Sequence, residues 1–348
     1  MSTEIRGGPG VPASIPEDWV RRPNPARIYN LLTHRRDVCR ADRVLAQKLF
    51  DVNGLIVTAA LINYAHTPLV VRALAERGIT QFLDLGCGYP PSWSRPRGRH
   101  EPPLIKEALA QVSPDTTVLY VDADPCVIGQ AHSFMAGAHG NPDALHADLL
   151  HMAEILAQPE VTRLFDPGRP IGVLLHDVLP WVSDDEALAN ALTVLRDWLA
   201  PGSALSLTHA ATDLAPAAMA KLTALWAEEA AITFRPRTPE TIEALLGGWP
   251  LLAPGITTTA QWHPEHPAAV QPPAASLAYA AVAIKPALYS PPRIPGGLHA
   301  QGDHPPALPQ ARGAAPAGPA KRPSRPAAAP GPGPLLPGRR AGAPRPCA

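Results

Sequence analysis

The sequence predicts an α/β protein: a doubly wound, mostly parallel sheet covered by helices on both faces, with a cap of further helices ahead of it. Two observations support this prediction. Short apolar runs rich in β-branched residues alternate with helical patterns between residues 81 and 284. Acids stand at the ends of the first three runs, at Asp84, Asp122 and Asp148. Since the carboxyl ends of parallel strands carry the site in open sheets, these acids predict a binding edge.

Residues 24–77 are predicted to be helical and to cap the sheet. Leu45, Leu49 and Val52 fall on one helix face, and Gly78 ends the last helix. The apolar run Gln81–Leu85 that follows is predicted as the first strand.

From there strands and helices alternate to residue 285. The amphipathic pattern that ends before Pro201-Gly202 is the clearest helix. Further strands are predicted at Thr117–Val121, Ala144–Ala147, Ile171–Leu175, Ala204–Thr208 and Ala278–Ile284. Helices are predicted at Pro103–Gln111, Pro125–Met135, Met152–Ala157, Asp184–Leu199, Pro216–Ala230 and Pro239–Leu246.

Both ends of the chain differ from this domain in composition. Residues 1–23 are rich in proline and glycine and are predicted to be flexible. Residues 286–348 consist mainly of Pro, Ala, Gly and Arg, so we expect a disordered tail. The tail holds eight basic residues and one acid in a chain of formal net charge zero. The acidic remainder argues against nucleic acid as a partner of the domain. A solvated extension is favoured over a tail that binds nucleic acid or anionic lipid.

Several classes of protein and site are disfavoured. The four cysteines form no CxxC, so we expect no disulfide framework. We also expect no metal site, because no HxxH or HExxH pattern is formed by His34, His66, His132, His139, His146 and His151. No GxSxG motif indicates a nucleophilic serine. The N-terminus lacks the apolar core of a signal peptide, and no uninterrupted apolar run reaches membrane-spanning length. We therefore expect no membrane partner and a cytoplasmic location.

The turn Gly86-Cys87-Gly88 after the first strand predicts a nucleotide-like cofactor, because glycine lets a ligand approach the backbone closely. A dinucleotide site requires GxGxxG, and Pro91 stands where the third glycine belongs. NAD and FAD are therefore disfavoured. S-adenosylmethionine carries no phosphate and needs only the glycine turn with carboxylates on neighbouring strands.

Each acid has a predicted role in holding S-adenosylmethionine. Asp84 fixes the loop or holds the methionine ammonium, Asp122 accepts from the ribose hydroxyls, and Asp148 accepts from the adenine amino group. Ala123 and Leu149 complete the predicted cofactor residues beside them. An Asp after a strand is also often only a turn former or helix N-cap, and Asp124 is assigned that N-cap role.

At this point the sequence resembles a bacterial S-adenosyl methyltransferase family long catalogued as a domain of unknown function. The resemblance spans residues 24–286. The matching phrases are PARIYN (25–30), ADR (41–43), GITQFLDLGCGYP (78–90), VLYVDADP (118–125), HADL (146–149), LTHAATD (207–213), WHP (262–264) and YAAVAIKP (279–286). It implies a class I, Rossmann-like methyltransferase fold.

The chain departs from the family pattern in three places. His34-Arg35-Arg36 replace a Gly-Gly-Lys segment, an insertion rich in proline and arginine follows Pro90, and Pro180 stands where the family has histidine. These changes fall around the predicted cofactor entrance and acceptor pocket. Cofactor binding is still predicted, and the three changes concern whether the enzyme turns over.

Candidate catalytic residues lie after the fourth and fifth strands. Methyl transfer requires alignment, and a base only where the acceptor loses a proton. His176 and Asp177 could form an oriented base or only a capped turn; His209 could be a base or could hydrogen-bond a loop. Trp181 could wall the pocket, although core packing is favoured.

The sequence thus predicts an S-adenosylmethionine-dependent methyltransferase that acts on a small-molecule acceptor. A non-catalytic relative that binds the cofactor or its demethylated product as a sensor is the alternative. A nicotinamide-dependent oxidoreductase is a weaker third interpretation.

Overall fold

A computed structural model describes residues 18–33, 38–89, 105–110, 112–113, 115–139, 143–263, 265 and 271–287. Most of the predicted flexible N-terminus and nearly all of the predicted disordered tail lie outside these residues, as do His34-Arg35-Arg36 and the insertion after Pro90.

The described residues form one seven-stranded sheet with the strand order β3-β2-β1-β4-β5-β7-β6. Neighbouring strands from β3 to β5 pair in parallel, while β7 is antiparallel to both β5 and β6. The strands are β1 (Gln81–Leu85), β2 (Thr117–Asp122), β3 (Ala144–His146), β4 (Ile171–His176), β5 (Ala204–Ala210), β6 (Thr257–Thr258) and β7 (Ala278–Ile284). The predicted mostly parallel, doubly wound sheet is confirmed, and β6 is a strand that the sequence pattern missed.

The predicted helices are present, with one addition. The stretch predicted as helical over residues 24–77 is three helices, and α7 was not predicted. The helices are α1 (Pro25–Leu32), α2 (Arg40–Val52), α3 (Leu55–Ala75), α4 (Ile105–Ala110), α5 (Pro125–His139), α6 (Met152–Leu156), α7 (Pro159–Leu164), α8 (Asp185–Trp198), α9 (Pro216–Ala230) and α10 (Pro239–Leu245).

The N-terminal cap is fixed by a buried ion pair between its first two helices. Arg27 Nε lies 2.7 Å from Asp42 Oδ2, and both side chains are almost fully buried. The other carboxylate oxygen of Asp42 accepts from the backbone N–H of Asn24 at 2.9 Å. Asn24 in turn caps α1, because its side-chain oxygen accepts from the Arg27 N–H at 3.0 Å. These bonds set where α1 starts relative to α2.

Separate apolar clusters cover the two faces of the sheet. On one face, residues of α6 to α8 and α10 pack against the strands, among them Leu188 and Ile242. On the other face α3, α4 and α5 supply Leu74, Leu109 and Ile128. A third cluster joins α1, α2 and α9 beyond the carboxyl ends of the strands. Helices on both faces are what buries a parallel sheet.

Helix α3 is, among the described residues, the helix long and apolar enough to cross a membrane, with a mean hydropathy of 1.3. Half of the 18-residue stretch of α3 that has this hydropathy is buried inside the fold. It carries the buried polar side chains of Asn63 and His66, and it packs against α4 and the sheet. Burial of this kind is typical of a core helix.

Candidate functional site

A cavity of about 700 Å³ opens at the carboxyl ends of β1 to β4. The chain runs outward from β1 through β2 to β3 and then returns to β4, on the other side of β1. Open sheets form a crevice at such a reversal of strand order. All seven predicted cofactor residues line the cavity: Asp84, Gly86, Gly88, Asp122, Ala123, Asp148 and Leu149. Its size suits a nucleoside cofactor with a small partner.

The glycine turn after β1 needs its two glycines for different reasons. Gly86 has φ +73°, and a Cβ placed there would stand 2.3 Å from Cγ2 of Val178. Gly88 has φ +63°, but a Cβ there would meet nothing within 4 Å. Gly86 is therefore required by packing and backbone angle together, and Gly88 by backbone angle alone. The open space beside Gly88 belongs to the cavity.

Asp122 links this turn to the end of β2. Its Oδ2 accepts from the Gly88 N–H at 2.9 Å, and its Oδ1 accepts from the Asp124 N–H at 2.8 Å. A carboxylate offers about four acceptor sites, so lone pairs remain for a ligand. Burial raises the pKa of Asp122 to about 6, although the two backbone N–H groups oppose that rise. The geometry fits a residue that shapes the turn and accepts ribose hydroxyls together.

Asp84 is a buried carboxylate without a hydrogen-bond donor among the described residues. It is 8% exposed and lines the cavity. Burial, and then the negative charge of Asp122, raise its pKa to about 7. An unpaired buried acid is costly, and a cationic ligand group would offset that cost. The methionine ammonium of S-adenosylmethionine is such a group, so this residue fits the predicted cofactor.

The acids Asp148, after β3, and Asp124, after β2, have structural partners as well. Asp148 Oδ1 accepts from the Leu150 N–H at 2.9 Å and so caps the short turn that contains Leu149. Asp124 Oδ1 accepts from the Cys126 N–H at 2.8 Å, as predicted for an N-cap of α5. Its other oxygen accepts from Asn24 Nδ2 at 2.9 Å. This last bond ties the cap to the β2 end of the cavity.

His176 lines the cavity, but both ring nitrogens have partners. Nδ1 lies 2.7 Å from Thr67 Oγ1 and Nε2 lies 2.9 Å from Ser206 Oγ. Burial lowers the pKa of His176 to about 3, so the ring is neutral at physiological pH. These contacts describe a ring that joins α3 to β4 and β5. For His176 to act as a base, its hydrogen bond with Thr67 or with Ser206 would have to break.

Asp177 adopts φ +55°, which is unusual for a residue with a side chain. Its backbone N–H donates to the carbonyl and the hydroxyl of Thr208, at 3.1 and 3.0 Å. Asn63 Nδ2 lies 3.4 Å from its Oδ1. Burial raises the pKa of Asp177 to about 6, while hydrogen bonds from Thr208, Asn63 and Tyr29 pull it down. Strained backbone of this kind clusters at functional sites, and this carboxylate faces the cavity.

The structure does not bring His209 to the cavity, which corrects its placement among the candidate bases. The side chain is fully buried on β5. Its Nε2 accepts from Arg237 Nη1 at 2.8 Å, so Nδ1 carries the hydrogen and donates to the Ala210 carbonyl at 2.9 Å. Arg237 also contacts Asp185 Oδ1 at 2.6 Å. Burial lowers the pKa of His209 to about 3. The ring therefore has the loop-bonding role that was the alternative.

Trp181 combines its two predicted roles. Its ring lies 4.8 Å from Trp226 and 4.8 Å from Phe234, and all three rings line the cavity. Pro180, the departure from the family histidine, is buried and also lines the cavity.

Several cavity residues were not identified from the sequence. Tyr29 and Asn30 lie on α1 and Asn63 on α3, while Met219 and Leu222 lie on α9. Tyr29 and Asn30 belong to the phrase PARIYN, and Asn63 interrupts an apolar helix. The phrase PARIYN and the polar Asn63 were therefore two sequence signals from which these cavity residues could have been predicted. Nothing in the pattern of α9 distinguishes a cavity wall from ordinary core.

Comparison with known proteins identifies the family. The S-adenosyl methyltransferase family matches residues 17–286. The crystal structure of a candidate methyltransferase from Thermobifida fusca is 32% identical, with a TM-score of 0.68 over 76% of this chain and 96% of that one. A DUF574 family protein from Streptomyces avermitilis is 28% identical, with a TM-score of 0.70 over 77% of this chain and 99% of its own. None of the curated proteins compared matches. The chain therefore belongs to the S-adenosyl methyltransferase family, as an enzyme of class I Rossmann-like fold whose cofactor is S-adenosylmethionine.

Proposed function

We propose that the enzyme transfers a methyl group to a small molecule bound in the same cavity as the cofactor, beside Asp177. The observation that carries the proposal is the buried, unpaired carboxylate of Asp84 at one end of a cavity that has a second carboxylate, Asp177, beyond it. The Asp84 carboxylate suits a cationic ligand group such as an ammonium. The Asp177 carboxylate suits a group that loses a proton.

Each cofactor residue has a role that its contacts support. Asp84 would accept from the methionine ammonium, and the turn Gly86–Gly88 would let that moiety approach the backbone. Asp122 would accept from ribose hydroxyls while it holds the Gly88 N–H. Asp148, Ala123 and Leu149 would surround the adenine. When bound, S-adenosylmethionine supplies an activated methyl group on a good leaving group, so alignment is the main task of the protein.

Asp177 is the better candidate for a base. Its pKa of about 6 leaves it ionised at neutral pH and able to accept a proton. The ring of His176 has a pKa of about 3, and its nitrogens are occupied by Thr67 and Ser206. We therefore assign His176 to positioning and Asp177 to proton acceptance.

Calorimetry with S-adenosylmethionine, S-adenosylhomocysteine and NAD tests the cofactor part. We expect binding of both sulfur ligands and none of NAD. Asp84→Asn should weaken the sulfur ligands about tenfold or more, since a charge-assisted hydrogen bond is lost. Asp166→Asn is the matched control, because Asp166 is an exposed acid before β4, at the opposite edge of the sheet. Equal affinity of Asp84→Asn and the control would contradict the assignment.

A labelled-methyl screen over cell extract tests transfer. We expect label in a small-molecule fraction that depends on Asp177. Family membership favours this outcome over the sensor. Persistent absence of label with intact cofactor binding would instead support a cofactor-binding sensor.

A further inference from the structure

The two ends of the cavity differ in chemistry. The ends of β1, β2 and β3 present the acids Asp84, Asp122 and Asp148. Beyond them, above β4 and β5, the cavity is walled by the apolar cluster of α1, α2 and α9. A cofactor that spans the three acids would direct its reactive group toward this second end, which we call the acceptor end. Among the described residues, Asp177 is the acid that lines this end.

Apolar and aromatic side chains form most of the acceptor end. Those that line it include Ile28, Ile56, Met219, Leu222, Trp226 and Phe234. With the Trp181 ring 4.8 Å from two other aromatic rings, one wall is a continuous aromatic corner. None of the described residues that line the cavity is Lys or Arg. An anionic acceptor would find no counter-ion among them, and a flat apolar molecule would bury its surface against the rings.

Two asparagine side chains stand among these apolar residues. The side chains of Asn30 and Asn63 are 5% and 7% exposed, and both line the cavity. The Oδ1 atom of each has no hydrogen-bond partner among the described residues. A buried acceptor without a donor is unfavourable, so these atoms indicate a ligand that brings hydrogen-bond donors.

We propose that the methyl acceptor is a neutral, flat, largely apolar molecule that carries hydroxyl groups, which face Asn30, Asn63 and Asp177. This assignment rests on the proposed methyl transfer. The hydroxyl oxygen forms the new bond to the methyl carbon while the bond from that carbon to sulfur breaks. The electron pair of the broken bond stays on sulfur, and the hydroxyl proton passes to the Asp177 carboxylate and then to water.

The test uses four naphthalene probes and the full chain saturated with S-adenosylhomocysteine. The probes are 2-naphthol, 2-methoxynaphthalene, 2-naphthoate and 2-naphthylmethylammonium, and tryptophan fluorescence or calorimetry reports binding at neutral pH. We expect 2-naphthol to bind about tenfold more tightly than the two charged probes. It should bind about fivefold more tightly than the methoxy probe, which lacks the donor.

Asn30→Leu should reduce the affinity for 2-naphthol to that for 2-methoxynaphthalene. Asn190→Leu, at an exposed position of α8, is the control and should change neither. The comparison among probes on the unchanged protein keeps the test decisive even if Asn30→Leu folds poorly.

Each failure has its own signature. If S-adenosylhomocysteine itself does not bind, the proposed function fails. If it binds but 2-naphthol does not, or a charged probe binds more tightly, the neutral apolar assignment is overturned. Equal affinity for 2-naphthol and its methoxy counterpart overturns the hydroxyl assignment.

Discussion

The backbone N–H of Gly88 donates to the carboxylate of Asp122 across 2.9 Å, so the residue that ends β2 holds the turn that follows β1. The same carboxylate accepts from the Asp124 N–H at 2.8 Å. One side chain therefore fixes two adjacent loops of the cofactor site, and structure and binding cannot be separated at this position.

Asp122→Ala should lower both stability and cofactor affinity. Two backbone N–H groups lose their acceptor, which should cost about 1–3 kcal/mol of the free energy of unfolding. Chemical unfolding and calorimetry measure the two effects. Asp148→Ala is the comparison, since that exposed acid caps a single N–H and should cost less. Undiminished affinity in Asp122→Ala would refute its role at the ribose.

Cofactor binding should weaken on the acid side of neutrality. The pKa of Asp84 is about 7 without ligand, and a bound ammonium lowers it, so the complex holds fewer protons than the free protein. Affinity is therefore full above pH 7 and falls by up to about tenfold for each pH unit below the pKa. Asp84 and Asp122 are electrostatically coupled, so the midpoint belongs to the pair. Calorimetry across this pH range measures the slope, which Asp84→Asn should flatten.

Asp84→Asn should also stabilise the ligand-free protein at alkaline pH. The pKa of Asp84 is raised from 3.8 to about 7 on folding, so its favourable contribution is present below 3.8 and is lost as pH rises through 7. Asparagine removes that loss, for a gain of about 1–3 kcal/mol in the free energy of unfolding. Urea unfolding at mildly alkaline and at acid pH should show a gain only at alkaline pH. A uniform change at both would contradict the ionisation argument.

Asp177→Asn should slow methyl transfer while leaving affinity for S-adenosylhomocysteine unchanged. Asparagine can keep the contact with Asn63 but cannot take a proton, so kcat should fall by about 10²–10⁴. In the unchanged enzyme the rate should rise with pH through about 6, where Asp177 ionises. Steady-state kinetics with an acceptor from the labelled-methyl screen measures both. A variant as fast as the parent would remove Asp177 from the chemistry.

A chain that ends at Lys285 should unfold at the same temperature as the full chain. The Lys285 ammonium donates to the carbonyls of Arg196 and Leu199 at 2.6 and 2.7 Å, so the last needed contact is retained. Ending at Ile284 removes both bonds and should lower the melting temperature by several degrees. Calorimetric melting of the two truncations distinguishes them. A loss of stability in the longer one would contradict the predicted domain boundary.

Local sequence signals predicted the sheet and the cofactor edge well. A buried parallel strand is a short apolar run, and an acid at its end lies at the binding edge whatever the distant packing. This is why Asp84, Asp122 and Asp148 could be placed on one cavity. The two-residue strand β6 leaves no pattern to detect, and the antiparallel direction of β7 depends on the connection before it.

Features that depend on distant partners were not accessible. His209 resembled a base because it follows a strand, but its ring is satisfied by Arg237, 28 residues away. Asn63 gains its meaning only when α3 is packed beside β4, where it meets Asp177. Helical periodicity gives the face of a side chain and not the element that this face meets.

The side chain of Asn24 has a consequence for how ligands enter and leave. Its side-chain oxygen caps the start of α1, and its side-chain nitrogen donates to Asp124. This one asparagine therefore joins the first helix of the cap to the loop after β2. The bond to Asp124 is worth about 1 kcal/mol, and the apolar cluster that includes Ile28 and Leu49 holds the cap in place independently of it. A ligand that displaces Asn24 from Asp124 would therefore release the start of α1 from the β2 loop while the packing of the helix stays intact.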